Sequence, residues 1–305
     1  MRRLCALLLL SVALPGCATL AVREQLALAI TIDDLPVHGP IPRGDTPNGV
    51  AERLIAALTM GGAVPATGFI NGKQTVDDPA TRNVLSRWQK AGLEVGNHGW
   101  SHRNLNELGT DEFEAELVRN EPLLRQFAAG SDWRWFRYPF LAEGDDAARR
   151  EAARQVLGRR AYRIAAVTMD FSDWQWTGPY ARCVAINDKV GIARLEERYL
   201  EAASSAVLRS RQLSQAVHGR DIPYVLLLHG GAFTARMMPQ LLGLYRNQNF
   251  RFVSLAQASR DMAYASDVVP RQPGPLATLE GRAAAAGVPI PPVPDIAATL
   301  AGICT

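Results

Sequence analysis

Histidine is scarce in this chain, with five among 305 residues, and cysteine is scarcer, with four. Charge of one sign is absent too, since 33 basic and 30 acidic residues leave a formal net charge of +3. The arginines are scattered through helical segments such as residues 149–160 and form no patch, which excludes a nucleic-acid footprint. There is no internal repeat, and past the N-terminus no apolar run is long enough to span a bilayer. What is present is a 48% hydrophobic composition, enough for a full core in a chain of a length common for single barrels.

The N-terminus reads as an export signal. Met1-Arg2-Arg3 supplies the positive start, and the apolar run Leu4–Leu14 has signal-peptide length, too short to span. Leu14-Pro15-Gly16-Cys17 resembles the lipobox of bacterial lipoproteins, which implies a lipid on Cys17 and membrane anchoring; cleavage after Ala18 or Ala21 is the rival. Either route leads out of the cytoplasm, to a periplasmic or outer-membrane lipoprotein or to a secreted protein. Processing removes Cys5 and lipidates or removes Cys17, leaving Cys183 and Cys304. They are either two unrelated thiols or a disulfide, and the even count in an oxidising compartment favours the bridge.

Strand-like runs lie near 26–32, 64–70, 93–96, 133–137, 162–168, 224–228 and 250–254, with helical patterns between most of them. Thr46-Pro47 reads as an N-cap followed by proline at the first helical position. The alternation predicts an α/β fold with a parallel sheet, open or closed into a barrel. The expected organisation is a signal at 1–21, a barrel at 22–265 and a Pro/Ala-rich tail at 266–305, wrapped over the barrel or partly disordered. Residues 176–222 exceed an ordinary connection and predict an extra helix or a lid that shapes substrate choice.

Five polar clusters each follow a strand-like run: Asp33-Asp34, His98 to His102, Arg137, Asp170 with Asp173, and His229. In α/β folds such strand ends converge on one face. Each cluster alone is weak, because HxxxH arises by chance and an Asp pair commonly caps a turn. Three of only five histidines falling at strand ends point to a site. Two imidazoles and a carboxylate with open positions suit a divalent metal. A second acid suits a base and a further histidine an acid, as amide hydrolysis requires.

In this order the clusters resemble the five motifs of the NodB-type polysaccharide deacetylases, carbohydrate esterase family 4, over roughly residues 26 to 255. The resemblance implies a distorted parallel (β/α) barrel, often of seven strands, which agrees with the seven strand-like runs. It implies Asp33 as catalytic base, Asp34, His98 and His102 as metal ligands, and Arg137 orienting the base. It further implies the Phe140 N–H at the oxyanion, Asp173 tuning the acid His229, and Trp174 and Leu227 walling the acetyl pocket. Zinc is the expected metal, with Fe, Co, Ni and Mn suited to similar sets. The implied substrate is an N-acetylated amino-sugar glycan of chitin-oligomer or peptidoglycan type. The alternatives are an amidase or O-acetyl esterase acting elsewhere, or a barrel that binds glycan without turnover.

The chain departs from the family pattern in places. Gly99 stands where Ser or Thr is usual, Tyr138 and Phe140 replace Pro and Tyr, and Gly230-Gly231 follow His229 where many members carry an acid. These changes bear on the substrate more than on the chemistry. His38 is expected on a loop bordering the cleft, as a substrate contact or an ordinary surface residue. Among the tryptophans near the motifs, Trp174 is expected at the site and Trp176 either there or in the core.

Overall fold

A computed structural model describes residues 25–60, 64–128 and 130–304 of the chain. The export signal read at 1–21 and the lipidation read at Cys17 lie outside the described residues. Seven strands form one sheet: β1 (Leu26–His38), β2 (Ala66–Ile70), β3 (Glu94–Asn97), β4 (Trp135–Phe136), β5 (Arg163–Ile164), β6 (Tyr224–Gly231) and β7 (Phe250–Val253). Their order is β5-β4-β3-β2-β1-β6, and β7 also pairs with β1. Every pairing is parallel. Because helices cover such a sheet, its central strand reads as a continuous apolar run, and residues 27–36 of β1 are buried on both faces.

The sheet curls into a half-barrel whose open side is crossed by single bridges. Beyond β5, the Met169 N–H donates to the Val225 carbonyl at 3.0 Å, and the Leu227 N–H donates to the Met169 carbonyl at 3.0 Å. The tail adds a second crossing, with Val167 N–H on the Ala277 carbonyl at 2.8 Å and Leu279 N–H on the Val167 carbonyl at 3.0 Å. This is a distorted (β/α) barrel, as the alternation and the motif resemblance imply.

Local signals set the helix starts. The Thr46 hydroxyl accepts from the Gly49 N–H at 3.0 Å and opens Pro47–Thr59. Asp146 and Asp188 cap Ala147–Arg159 and Lys189–His218 in the same way, at 2.7 and 2.8 Å. The segment 176–222 forms Thr177–Ala185 and the 30-residue helix Lys189–His218. That long helix carries part of the core. Tyr199 is fully buried and meets Phe171, Trp176 and Phe233 edge-on, with ring centroids 4.9 to 5.4 Å apart. Trp176 is therefore packing and does not line the cleft.

The tail is fastened at both ends. The Ala277 N–H donates to Glu143 Oε1 at 2.6 Å, and a buried Arg282–Asp267 pair lies beyond it. At the far end Cys304 is bonded to Cys183, Cα atoms 5.1 Å apart, while Arg182 Nε donates to the Cys304 carbonyl at 2.6 Å. Among the described residues, no helix is long and apolar enough to cross a membrane.

Candidate active site

Four of the motif loops turn at a residue with left-handed backbone: Asp34 at φ 61°, His102 at 55°, Phe140 at 58° and Ser172 at 55°. Such conformations cost about 1–3 kcal/mol each and persist only where packed surroundings impose them. Here the sheet does so. β1 loses its regular register with β2 after Ile32, so the two consecutive acids need not point to opposite faces as they would in a regular strand. Gly99 also has positive φ, 74°, and its N–H donates to Asn97 Oδ1 at 2.9 Å. The glycine thus has a backbone reason at the position where the family usually places a hydroxyl.

The structure brings Asp34, His98 and His102 together, with one ligand atom from each lying within 4.8 Å of the others. Asp34 Oδ1 is 3.5 Å from His98 Nε2 and 3.3 Å from His102 Nε2. His98 Nδ1 donates to the Arg137 carbonyl at 2.8 Å, an oxygen that can only accept, which leaves Nε2 as the ring atom facing the cluster and the one available to a metal. Burial and the neighbouring His98 lower His102 to about 4, leaving that ring neutral. Burial opposes ionisation of Asp34, but the His38 hydrogen bond and the surrounding imidazoles hold its carboxyl well below the usual carboxylate range. Asp34 Oδ1 is buried with no hydrogen-bond partner. Electron-rich atoms facing one another without a shared proton fit a cation, so the donor set suits the metal that the motifs imply.

Two pairs flank this cluster. Arg137, wholly buried, reaches both oxygens of Asp33 from Nη1 at 3.3 and 3.4 Å. Its Nε donates to the Ala165 carbonyl at 2.8 Å and its Nη2 to Thr31 Oγ1 at 3.1 Å, which fix the fork. Opposite, Asp173 Oδ1 holds His229 Nδ1 at 2.8 Å, while Asp173 Oδ2 accepts from the His229 N–H at 2.9 Å and Thr234 Oγ1 at 2.6 Å. Burial disfavours the charged His229 ring, but the Asp173 charge and hydrogen bond override it and raise the ring to about 9. Asp33 and His229 are cross-strand partners in the β1–β6 register, which explains why base and acid candidates share one cleft.

Asp33, Asp34, His98, His102 and His229 line a cavity of about 460 Å³, completed by His38, Tyr138, Phe140, Leu141, Asp170, Trp174 and Leu227. Phe140 and Trp174 stand exposed at its rim, at 66% and 48%, while Leu227 is buried in its wall. Asp170 is pushed up to about 6 by burial. A larger depression of about 580 Å³ lies at the other end of β1, around Leu26 and Pro223. Its Arg211 and Arg220 are paired with Asp221 and Asp261, and it gathers none of the motif residues.

Several participants carried no sequence signal strong enough to assign them. Thr31 and Thr234 act through Arg137 and Asp173. His38 proves to be a partner of Asp34, with Nδ1 2.7 Å from Oδ2, and its ring centroid is 4.9 Å from that of His229. The sequence places it at the cleft border, as a substrate contact or a surface residue, but it ends β1 and hydrogen-bonds Asp34.

A curled parallel sheet thus carries a possible metal-ligand cluster at its strand ends. Residues 22–158 match the family model for polysaccharide deacetylases. A peptidoglycan-N-acetylglucosamine deacetylase of Bacillus cereus is 32% identical over 65 residues, covering 21% of this chain and 22% of that protein. The match thus spans about a fifth of the curated relative's length. The chitin deacetylase of Colletotrichum lindemuthianum shares the fold at a TM-score of 0.52 and 20% identity, over 77% of this chain and 88% of that one. A family 4 pseudoenzyme from Bacillus anthracis does so at 0.51 and 16%, over 84% and 69%. Residues 22–158 thus resemble the polysaccharide deacetylases, and the solved structures share the fold.

Proposed function

We propose that this protein is a metal-dependent hydrolase that removes N-acetyl groups from an amino-sugar glycan, of chitin-oligomer or peptidoglycan type. The observation that carries the reading is one cavity lined by the Asp34–His98–His102 cluster, by Asp33 backed by Arg137, and by His229 backed by Asp173. Zinc is the metal proposed, and a divalent cation held by the three residues would lower the pKa of water and polarise the acetyl carbonyl. Asp33, held in place by Arg137, takes the proton of the attacking water. His229, protonated through Asp173, gives a proton to the leaving amine. Leu227 and Trp174 bound the acetyl methyl, and the Phe140 N–H is assigned to the developing oxyanion.

Export is part of the proposal, with the lipid on Cys17 as anchor and the periplasm or outer membrane as the compartment. The bonded Cys183 and Cys304 support an oxidising location. Labelled fatty acid should enter the parent protein and not Cys17→Ser; equal labelling of both removes the anchor.

Acetate release from N-acetylated glycan oligomers, O-acetylated polysaccharides and simple amides, with and without chelator, tests the activity. Chelator-sensitive release confined to the amino-sugar glycans is expected. Release from none of them, in protein carrying stoichiometric metal, would point to a barrel that binds glycan without turnover.

A further inference from the structure

Resting on the reading of Asp34, His98 and His102 as a metal site, we propose that His38 is a positioning residue that aims the Asp34 carboxylate at the cluster. The two oxygens of Asp34 have separate partners. Oδ2 accepts from His38 Nδ1 at 2.7 Å, and Oδ1 is left facing His98 Nε2 and His102 Nε2 at 3.5 and 3.3 Å. A carboxylate with one oxygen tethered cannot rotate the other away. Outer partners of this kind orient metal ligands, and their loss typically costs about 10–100-fold in metal affinity or activity.

The His38 ring is itself held in place. It ends β1 opposite Gly231 of β6, beyond the irregular stretch that follows Asp33. Thr177 Oγ1 would meet a side chain at Gly231 at 2.5 Å, so this position opposite His38 stays bare, and the ring edge lies 3.6 Å from where a Cβ would stand. Its other neighbour is His229, with centroids 4.9 Å apart and planes tilted by 53°. Gln74 Oε1 accepts from the adjoining Val37 N–H at 3.3 Å and fixes the chain just before the ring.

The test is competition of the metal-free protein with a chromophoric chelator for Zn²⁺, with cobalt absorption as a second readout of the ligand geometry. His38→Asn keeps an N–H close to the place of Nδ1, whereas His38→Gln moves it to the place of Nε2. His38→Asn should bind Zn²⁺ close to the parent affinity, and His38→Gln and His38→Ala about 10–100-fold more weakly. Parent-like binding by His38→Gln, or equal weakening by His38→Asn and His38→Gln, would overturn the proposal even if His38→Ala fails to fold. Asp34→Ala is the control. Parent-like binding there removes the metal-site reading itself, while lost binding there with parent-like His38→Gln removes only the role of His38.

Discussion

At the scale of the residue, ligand and catalyst can be separated by what each loss leaves behind. Asp34→Ala, His98→Ala and His102→Ala should each lose most bound metal and, with it, turnover; full occupancy in all of them excludes this ligand set. Asp33→Asn should keep metal and fold but lose about 10²–10⁴-fold in rate, the usual contribution of a general base. His229 supplies a pH test with a definite sign. Its ring is raised to about 9 because the charge and hydrogen bond of Asp173 outweigh burial. A general acid works only while protonated, so activity should fall as pH rises through this value, or somewhat below it with a cation bound nearby. Asp173→Asn removes the largest raising charge and should move that alkaline limb to lower pH as well as lowering kcat. An unmoved limb would assign it to another group. The identities of these residues were legible because each follows a strand-like run. The tether on Asp34, the Thr234 hydroxyl on Asp173 and the tautomer of His98 were not, since each is set by a contact distant in sequence or across an irregular turn.

At the scale of the element, the 30-residue helix and the tail combine two tasks that the sequence left open. The helix buries Leu195, Tyr199 and Leu213, so excising its middle would unfold the barrel instead of trimming a lid. Its outer face and Pro291–Pro294 border a groove of about 310 Å³ that reaches Asp170 beside the cleft. Leu208, exposed in that groove, can be changed without touching the core. Leu208→Arg should alter relative rates on glycans of different length and leave Zn²⁺ affinity unchanged; an identical substrate profile makes the helix scaffold only. The disulfide ties this helical insertion to the tail across 121 residues of sequence. Closing a loop of that size is worth about 4–5 kcal/mol in the chain-entropy model, so Cys304→Ser should lower the denaturant midpoint clearly. A midpoint equal to that of the parent would show that the tail's own hydrogen bonds suffice.

At the scale of the whole molecule, the sequence by itself determined the seven strands and the helix starts, from period, burial pattern and caps such as Thr46-Pro47. It also determined which side chains meet, because parallel strands must present their carboxyl ends on one face. Only the tertiary structure decided how the barrel closes. Short β4 and β5 leave a gap that single bridges at Val167 and Met169 cross, one of them made by the tail. It alone decided that Trp176 belongs to the core, that Gly99 sits at a positive φ, and that His38 faces Asp34 instead of solvent. The physical reason is common to all three. Periodicity and capping are local and repeat along the chain, whereas a bridge, a left-handed turn or an orphaned carboxylate oxygen is a single event fixed by what packs against it.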